Sequence, residues 1–331
     1  MNCPQCDSIN TRKRGKRKGK QRWFCNDCGK SWSVQPELTK YKEIRGVEIN
    51  ADKKVSDIHW RELSNFMKHK QDVNRKASYS QDFANIEIKT DKPACLLNLC
   101  DIHFGANGVD YELLEAYTDE IIKTEGLYVV LTGDLLETAI RMRNVKEVVN
   151  QLEPELQIAF LESWLDDIKD KVLWATWDNH TASREESVTG FSVYKRIIGK
   201  EKQIVYHNGI GYVDLKVGEV TYKFVTSHKF NGRSMLNALH GQQRYMRFEA
   251  IDREIAMSGD SHKVGFAWYY DGDMERLAIN GGTLHVNSGY AKRYFSLFSI
   301  PEFPCVVLYP DEKLFVPFKN LHVWKRSYAV R

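Results

Sequence analysis

Between positions 101 and 262 the chain carries Asp101-Ile102-His103, Gly133-Asp134, Asn179-His180, Ser227-His228 and Gly259-Asp260-Ser261-His262. Each piece alone is ordinarily a surface turn. As an ordered series they supply hard oxygen and imidazole donors that no packing need explains, and such donors together hold divalent ions. The expected chemistry is therefore metal-assisted, with bound ions acting as Lewis acids. A second set lies near the amino terminus, where Cys3-Pro4-Gln5-Cys6 and Cys25-Asn26-Asp27-Cys28 are separated by eighteen residues. That is the spacing of a four-cysteine zinc site. Each pair places two thiolates on one tetrahedral ion at about 2.3 Å, and metal binding supplies folding energy that so short a loop cannot draw from a core. A redox role is the rival for any Cys-x-x-Cys. Here two pairs close one basic loop without a thioredoxin-like strand and helix, which argues against it. Cys95, Cys100 and Cys305 stand among apolar neighbours and read as buried thiols.

Each Asp/His cluster follows an apolar run with the character of a buried strand: 94–100, 127–132, 171–176, 220–226 and 255–258. A helical pattern with Leu114, Tyr117 and Ile121 on one face separates the first two. Alternation puts Asp101 and His103 on the same side of an extended segment, and Gly133 permits a sharp exit that presents Asp134. Ligands in α/β sheets gather at the carboxyl ends of strands, so five such ends can converge on one crevice.

The order of these motifs resembles that of the calcineurin-like metallophosphoesterases, which include double-strand-break repair nucleases, phosphodiesterases and Ser/Thr phosphatases. The resemblance covers roughly residues 94 to 310. It implies an α/β fold, a metallophosphoesterase β-sandwich flanked by helices, preceded here by the small four-cysteine zinc ribbon. It also implies two divalent ions, manganese first, with magnesium, iron or zinc as alternatives. Carried over by position, Asp101, His103 and His262 would hold the first ion, Asp134 would bridge both, and Asn179, His228 and Asp260 would hold the second. Asp134 and His180 would be catalytic, His180 protonating the departing oxygen. Two positions depart from the family pattern. Thr181 stands where an acid usually orients the histidine, with Asp178 as a candidate substitute. Asp260 replaces the usual first histidine of the last motif, a harder ligand that shifts metal preference away from zinc.

The net charge of +4 is distributed unevenly: the first thirty residues hold nine Lys or Arg against Asp7 and Asp27. The remainder of the chain is slightly acidic. A concentrated positive field attracts polyanions, and Arg12, Lys13, Arg14, Lys16, Arg17, Lys18, Arg22 and Trp23 are the candidate nucleic-acid contacts. This segment resembles the zinc ribbons of bacterial transposase subunits, matching Cys3, Cys6, Gly15, Trp23, Cys25, Cys28, Gly29 and Lys30, and suggests a phage or mobile-element origin. Trp23 and Phe24 serve either as stacking platforms or as the ribbon's own core. Arg141, Arg143, Arg184 and Arg233, shortly after motif segments, are either phosphate clamps or solvated charge.

The expected organisation is a basic ribbon over 1–35, a helical segment and linker over 36–92, and the phosphoesterase domain over 93–331. An amphipathic helix with Trp60, Leu63 and Met67 at helical spacing falls in the middle segment. Hydrophobic residues at 42% and charged residues at 28% suit a globular enzyme. No apolar run has the length of a membrane span or of a secretory leader, so a cytoplasmic location is expected. The expected function is a two-metal nuclease recruited to DNA or RNA by the ribbon. A phosphatase or phosphodiesterase whose ribbon binds a protein partner, and a DNA-binding scaffold with a decayed site, are the alternatives.

Overall fold

The structure, a computed structural model, describes residues 1–17, 20–34, 39–44, 47–51, 59–76, 82–138, 151–232, 234, 236–286 and 301–328. The chain divides into two compact units, Met1–Lys76 and Ala77–Arg331.

In the first unit, β1 (Thr11–Arg17), β2 (Lys20–Cys25) and β3 (Ser31–Val34) form an antiparallel sheet. β4 (Thr39–Ile44) pairs with β5 (Val47–Ala51), and α1 spans Trp60–Lys76. β1 and β2 run between the two cysteine pairs, and β3 follows the second pair. Cys3 donates its amide to Ser8 O at 2.9 Å and Cys25 to Lys30 O at 2.9 Å, so each pair of cysteines sits on a tight backbone turn.

The second unit begins with β6 (Phe83–Ile88), β7 (Ala94–Leu99), α2 (Tyr111–Lys123), β8 (Leu127–Leu131), α3 (Pro154–Ile168), β9 (Val172–Thr176) and β10 (Val205–His207). It continues with β11 (Gly211–Val217), β12 (Val220–Thr226), α4 (His240–Phe248), β13 (Ile255–Ser258), β14 (Gly265–Asp271) and β15 (Met274–Asn280). β16 (Cys305–Leu308), β17 (Phe315–Phe318) and α5 (Leu321–Tyr328) complete it. The strands form two six-stranded sheets, ordered β10-β9-β8-β7-β16-β17 and β14-β15-β13-β12-β11-β6.

β7 shows why these residues make this architecture. Every position in it is buried, as expected of a strand covered on both faces. Ala94 and Leu96 point between the sheets and pack with Val130, Trp174, Val213, Phe224 and Met257. Cys95, Leu97 and Leu99 point the other way, onto Leu114 and Ile121 of α2 and Leu161 and Leu165 of α3. On the far side of the second sheet Val225, Ala256 and Ala278 meet Met246 of α4. The result is a sandwich of two sheets flanked by helices, the fold class expected from the sequence. Each fully buried Leu, Ile or Phe in it contributes on the order of 1.5–3 kcal/mol.

One buried polar residue ties the sheets together beside the strand ends. Asn98 donates Nδ2 to Ser258 O at 2.9 Å and accepts from Thr132 Oγ1 at 2.8 Å. A side-chain amide satisfied at both ends in a dry core is directional, so it sets the ends of β7, β8 and β13 against one another.

The expected linker at the end of the 36–92 segment is corrected. β6 lies within it and pairs in parallel with β11 from Phe83↔Tyr212 to Ile88↔Val217. The second unit therefore starts near residue 77 rather than 93. β6 is an edge strand in which only Ala84 and Ile88 are fully buried, so its apolar signal is weak.

Candidate metal centre

Five strand ends deliver the polar clusters to one place. Asp101 and His103 follow β7, Asp134 follows β8, Asn179 and His180 follow β9, His228 follows β12, and Asp260 and His262 follow β13. His262 Nε2 lies 3.1 Å from both Asp101 Oδ1 and His103 Nε2. The donor atoms of Asp101, His103, Asp134 and His262 all fall within 4.8 Å of one another. Asp134 Oδ2 is the hub of the cluster. It stands 3.3 Å from His228 Nε2, 3.6 Å from His180 Nε2 and 3.7 Å from His103 Nε2. Beyond it, Asp260 Oδ1 accepts from Asn179 Nδ2 at 2.9 Å and lies 4.0 Å from His228 Nε2.

The backbone is bent to make this possible. Asp101, His103, Asp134, Asp260 and His262 have φ of 50°, 53°, 49°, 64° and 54°. The expectation that Asp101 and His103 share a side through strand alternation is thus corrected: they converge because the chain coils through left-handed conformations after β7. Such conformations cost of order 1–3 kcal/mol each and persist where the surrounding structure over-determines them. Asp tolerates them better than most residues, and His shares that tolerance. Their concentration among these residues marks a site held in place against local preference.

The donor atoms are also left without ordinary partners. Asp101 Oδ1, Asp134 Oδ1, Asn179 Oδ1 and His228 Nε2 are buried and have no hydrogen bond among the described residues. A buried acceptor or imidazole nitrogen without a partner is costly. Several aimed at one another fit divalent cations, whose charge and open coordination positions satisfy all of them.

Electrostatics agree with that fit. Burial disfavours the charged form of Asp134, yet the imidazoles of His228 and His180 overcome it and hold the carboxyl well below its usual range. Burial likewise opposes protonation of His228, but Asp134, Asp101 and Asp178 outweigh it and raise the ring to about 10. His103, buried but hydrogen-bonded to Glu137, rises to about 9. The side chains form an anionic pocket that recruits positive charge from any source. His180 differs. Burial dominates there, with His103 and Arg184 adding to it, and the ring falls to about 4.

Several residues not singled out in the sequence complete the site. Glu137 Oε2 meets His103 Nδ1 at 2.9 Å, turning that ring's other nitrogen toward the cluster. His285, after β15, places its ring 5.3 Å from that of His103. It obeys the same strand-end rule that marks the other histidines, and that rule would have found it. Asp178 does not orient His180, contrary to the substitution considered above. Its two oxygens accept from the amides of Asp134 at 2.9 Å and Ala182 at 2.8 Å, so it braces the loops carrying Asp134 and His180. Thr181 Oγ1 is buried against Thr138 Oγ1 at 3.1 Å. Arg184 donates Nη2 toward His180 Nε2 at 3.1 Å. Arg141, Arg143, Arg233 and Lys18 lie outside the described residues.

Gly133 is where the backbone tolerance is absolute. Its φ is +91°, and a Cβ there would lie 2.6 Å from His228 Nδ1 and 2.9 Å from Asp178 Cβ. The His228 ring cannot retreat without losing its 2.7 Å bond to Thr132 O. Gly133→Ala should therefore combine backbone strain with overpacking, about 3 kcal/mol in all. Thermal unfolding should register a drop of roughly 6–12 °C. A melting temperature within 2 °C of the parent protein would contradict this geometry.

In the ribbon, Cys3, Cys6, Cys25 and Cys28 gather with all four sulfurs within 4.8 Å. Cys3 Sγ to Cys28 Sγ is 3.5 Å and Cys6 Sγ to Cys25 Sγ is 3.6 Å. A tetrahedral ion with bonds of about 2.3 Å requires sulfur separations of about 3.8 Å, so the cluster fits one. The alternation of the strands sorts the basic residues. Arg12 pairs in register with Phe24, and Arg22 with Ser33. Arg12 and Arg14 both lie over the Phe24 ring, at 5.3 and 5.1 Å. Arg12, Arg14 and Arg22 thus share one face around a phenylalanine, while Lys13 lies 5.8 Å over Trp23 on the other. Phe24 is a seat for guanidinium groups rather than a closed core.

No protein-family model matches the chain, and no curated protein matches it in sequence. Among solved structures it is similar to vacuolar protein sorting 29 from Cryptosporidium parvum, at 15% identity over 69% of this chain and 99% of that one, with a TM-score of 0.37. A second is Vps29 from Entamoeba histolytica, solved in complex with zinc, at 12% identity over 68% and 98% with a TM-score of 0.36. A third is a conserved protein of Streptococcus pneumoniae described as a predicted phosphoesterase, at 11% identity over 68% and 97% with a TM-score of 0.30. Among the described residues no helix is long and apolar enough to cross a membrane.

Proposed function

We propose that the protein is a divalent-metal-dependent phosphodiester hydrolase of the calcineurin-like kind, acting on DNA or RNA that its zinc-bearing ribbon recruits. The observation carrying this reading is the set of buried Asp, Asn and His atoms without hydrogen-bond partners among the described residues, with Asp101 and Asp134 of that set on left-handed backbone. Asp101, His103, His262 and Asp134 would hold one ion, and Asp134, Asn179, His228 and Asp260 a second. Divalent ions there supply Lewis acidity toward water and toward the phosphate oxygens.

The chain's own groups do the rest. Asp134 stands between the two sets of donors and keeps them in register. Glu137 fixes the ring of His103, and Asp178 fixes the loop of Asp134. Arg184, now on His180 Nε2, is the cation an entering phosphate attracts. Its transfer to the phosphate frees that nitrogen to face the leaving oxygen. The phosphate's negative charge raises the affinity of the imidazole for a proton, which His180 then delivers to the departing alkoxide.

What supports a nucleic acid over a small ester is the arginine face of the ribbon. Guanidinium groups spaced along a strand suit successive phosphates. Converting Arg12 and Arg14 together to Ala should lower the slope of log affinity against log salt for duplex DNA by about 1.8. Hydrolysis of a small activated phosphodiester with Mn²⁺ should remain at the parental rate. An unaltered salt slope would remove the ribbon from the nucleic-acid surface. Failure of the parent protein to cleave labelled single- or double-stranded DNA or RNA, with a phosphomonoester cleaved instead, would replace the nuclease reading by a phosphatase.

A further inference from the structure

The two sets of donors are not equivalent, and the difference lies in a residue outside the motifs. Lys229 follows His228 directly, and its Nζ lies 2.6 Å from Asp260 Oδ2. Asn179 already donates to Asp260 Oδ1 at 2.9 Å. Both oxygens of this carboxylate are therefore engaged. Around the other position the situation is reversed. Among the described residues, Asp101 and Asp134 form ion pairs with histidines alone, and no ammonium or guanidinium competes for them.

Charge arithmetic gives the pair a meaning. A carboxylate at position 260 brings one negative charge that an imidazole would not, and the ammonium of Lys229 cancels it. Asp260 Oδ1 is the oxygen nearer His228, so a divalent ion on this carboxylate would lie close to the ammonium held by Oδ2, and repulsion between the two cations favours exchanging one for the other. Such an exchange is feasible because the lysine side chain is 32% exposed and sits on a flexible stem, so its head can turn to water. It still weakens the ion's net gain, since an existing charge-assisted bond is lost as the new one forms.

We propose that Lys229 is a resident counter-cation at the Asp260 position, which makes the second ion conditional on displacing it. The position built from Asp101, His103, His262 and Asp134 fills first. The position built from Asn179, His228 and Asp260 fills only at higher ion concentration. The inference rests on the metal reading proposed above, and the following experiment separates the two.

The full chain, with zinc on its cysteines, is titrated with Mn²⁺ alone and followed by calorimetry and by the paramagnetic signal of free Mn²⁺. The expected isotherm has two steps. In Lys229→Met, which keeps the apolar stem and loses the charge, the weaker step should tighten about tenfold or more, with the stronger step unmoved. Lys229→Arg, which keeps the charge, should retain the parental isotherm. An unmoved weaker step in Lys229→Met overturns the proposal while leaving the metal reading intact, as do two steps of equal strength in the parent protein. Absence of any Mn²⁺ uptake by the parent protein overturns both. Should Lys229→Met fail to fold, the parental two-step isotherm decides alone, since equal steps are incompatible with a competing ammonium at one position.

Discussion

Asp134→Ala should abolish hydrolysis of every substrate, lowering kcat/KM by about three orders of magnitude or more. The carboxylate is at the centre of the cluster, with His228, His180 and His103 within 3.7 Å of its Oδ2. Removing it leaves three imidazoles facing one another with no anion between them, and a cation loses the oxygen shared by both sets of donors. The loss should be the same for DNA and for a nitrophenyl phosphodiester, because it precedes any distinction between leaving groups. Metal analysis should show the body depleted of divalent ions and the ribbon still holding about one zinc per chain. The fold should survive, since the residue lies at a strand end and contributes no apolar area. Retention of nitrophenyl ester hydrolysis within tenfold of the parent protein would show that Asp134 is not the shared residue of the site.

His180→Ala should separate substrates instead. An alkoxide leaving from DNA needs a proton, whereas a nitrophenolate leaves without one. DNA cleavage should fall by about 10² to 10⁴ fold while the activated ester stays within a few fold of the parent. The environment of the ring argues for this division. Burial lowers its affinity for a proton to a pKa of about 4, so it is neutral near pH 7 until substrate charge arrives. Nδ1 is buried and has no partner among the described residues, and Nε2 faces Arg184. Among the described residues no carboxylate is hydrogen-bonded to the ring to make it a permanent cation. Equal losses on both substrates, accompanied by loss of Mn²⁺, would make His180 a ligand or a structural residue.

How much of this was legible in the sequence depends on what kind of information each feature needs. Buried parallel strands must be continuous apolar runs, so β7, β8 and β9 announce themselves, and any polar residue just beyond such a run sits at a sheet edge. That is why Asp101, Asp134 and His180 could be picked out as parts of one ordered series. The paired cysteines are equally local, because a tetrahedral ion needs two donors on one turn, twice. β6 escaped for the opposite reason. As an edge strand with polar alternate positions, it buries only Ala84 and Ile88 completely, and such a pattern does not stand out from a linker.

The remaining features are pairings across long stretches of chain. Glu137 reaches His103 from 34 residues away, and Asn179 meets Asp260 across 81. Neither separation carries a period that a sequence can display. Asp178, adjacent to the Asn179-His180 pair, looked able to orient the histidine, but the loop turns it onto the amides of Asp134 and Ala182. Nothing in the sequence beside His228 sets Lys229 against Asp260, 31 residues further on. The left-handed conformations of Asp101, His103, Asp134, Asp260 and His262 are disfavoured locally, so no local preference could have announced them. By itself, then, the sequence determined which donors exist, how many strand ends carry them and where the four cysteines stand, because hydrophobic periodicity and ligand spacing are short-range properties. The tertiary structure alone decided which donors come together and which of them is paired with a lysine, because those depend on the stacking of two sheets and on loop conformations that only the packed protein can enforce.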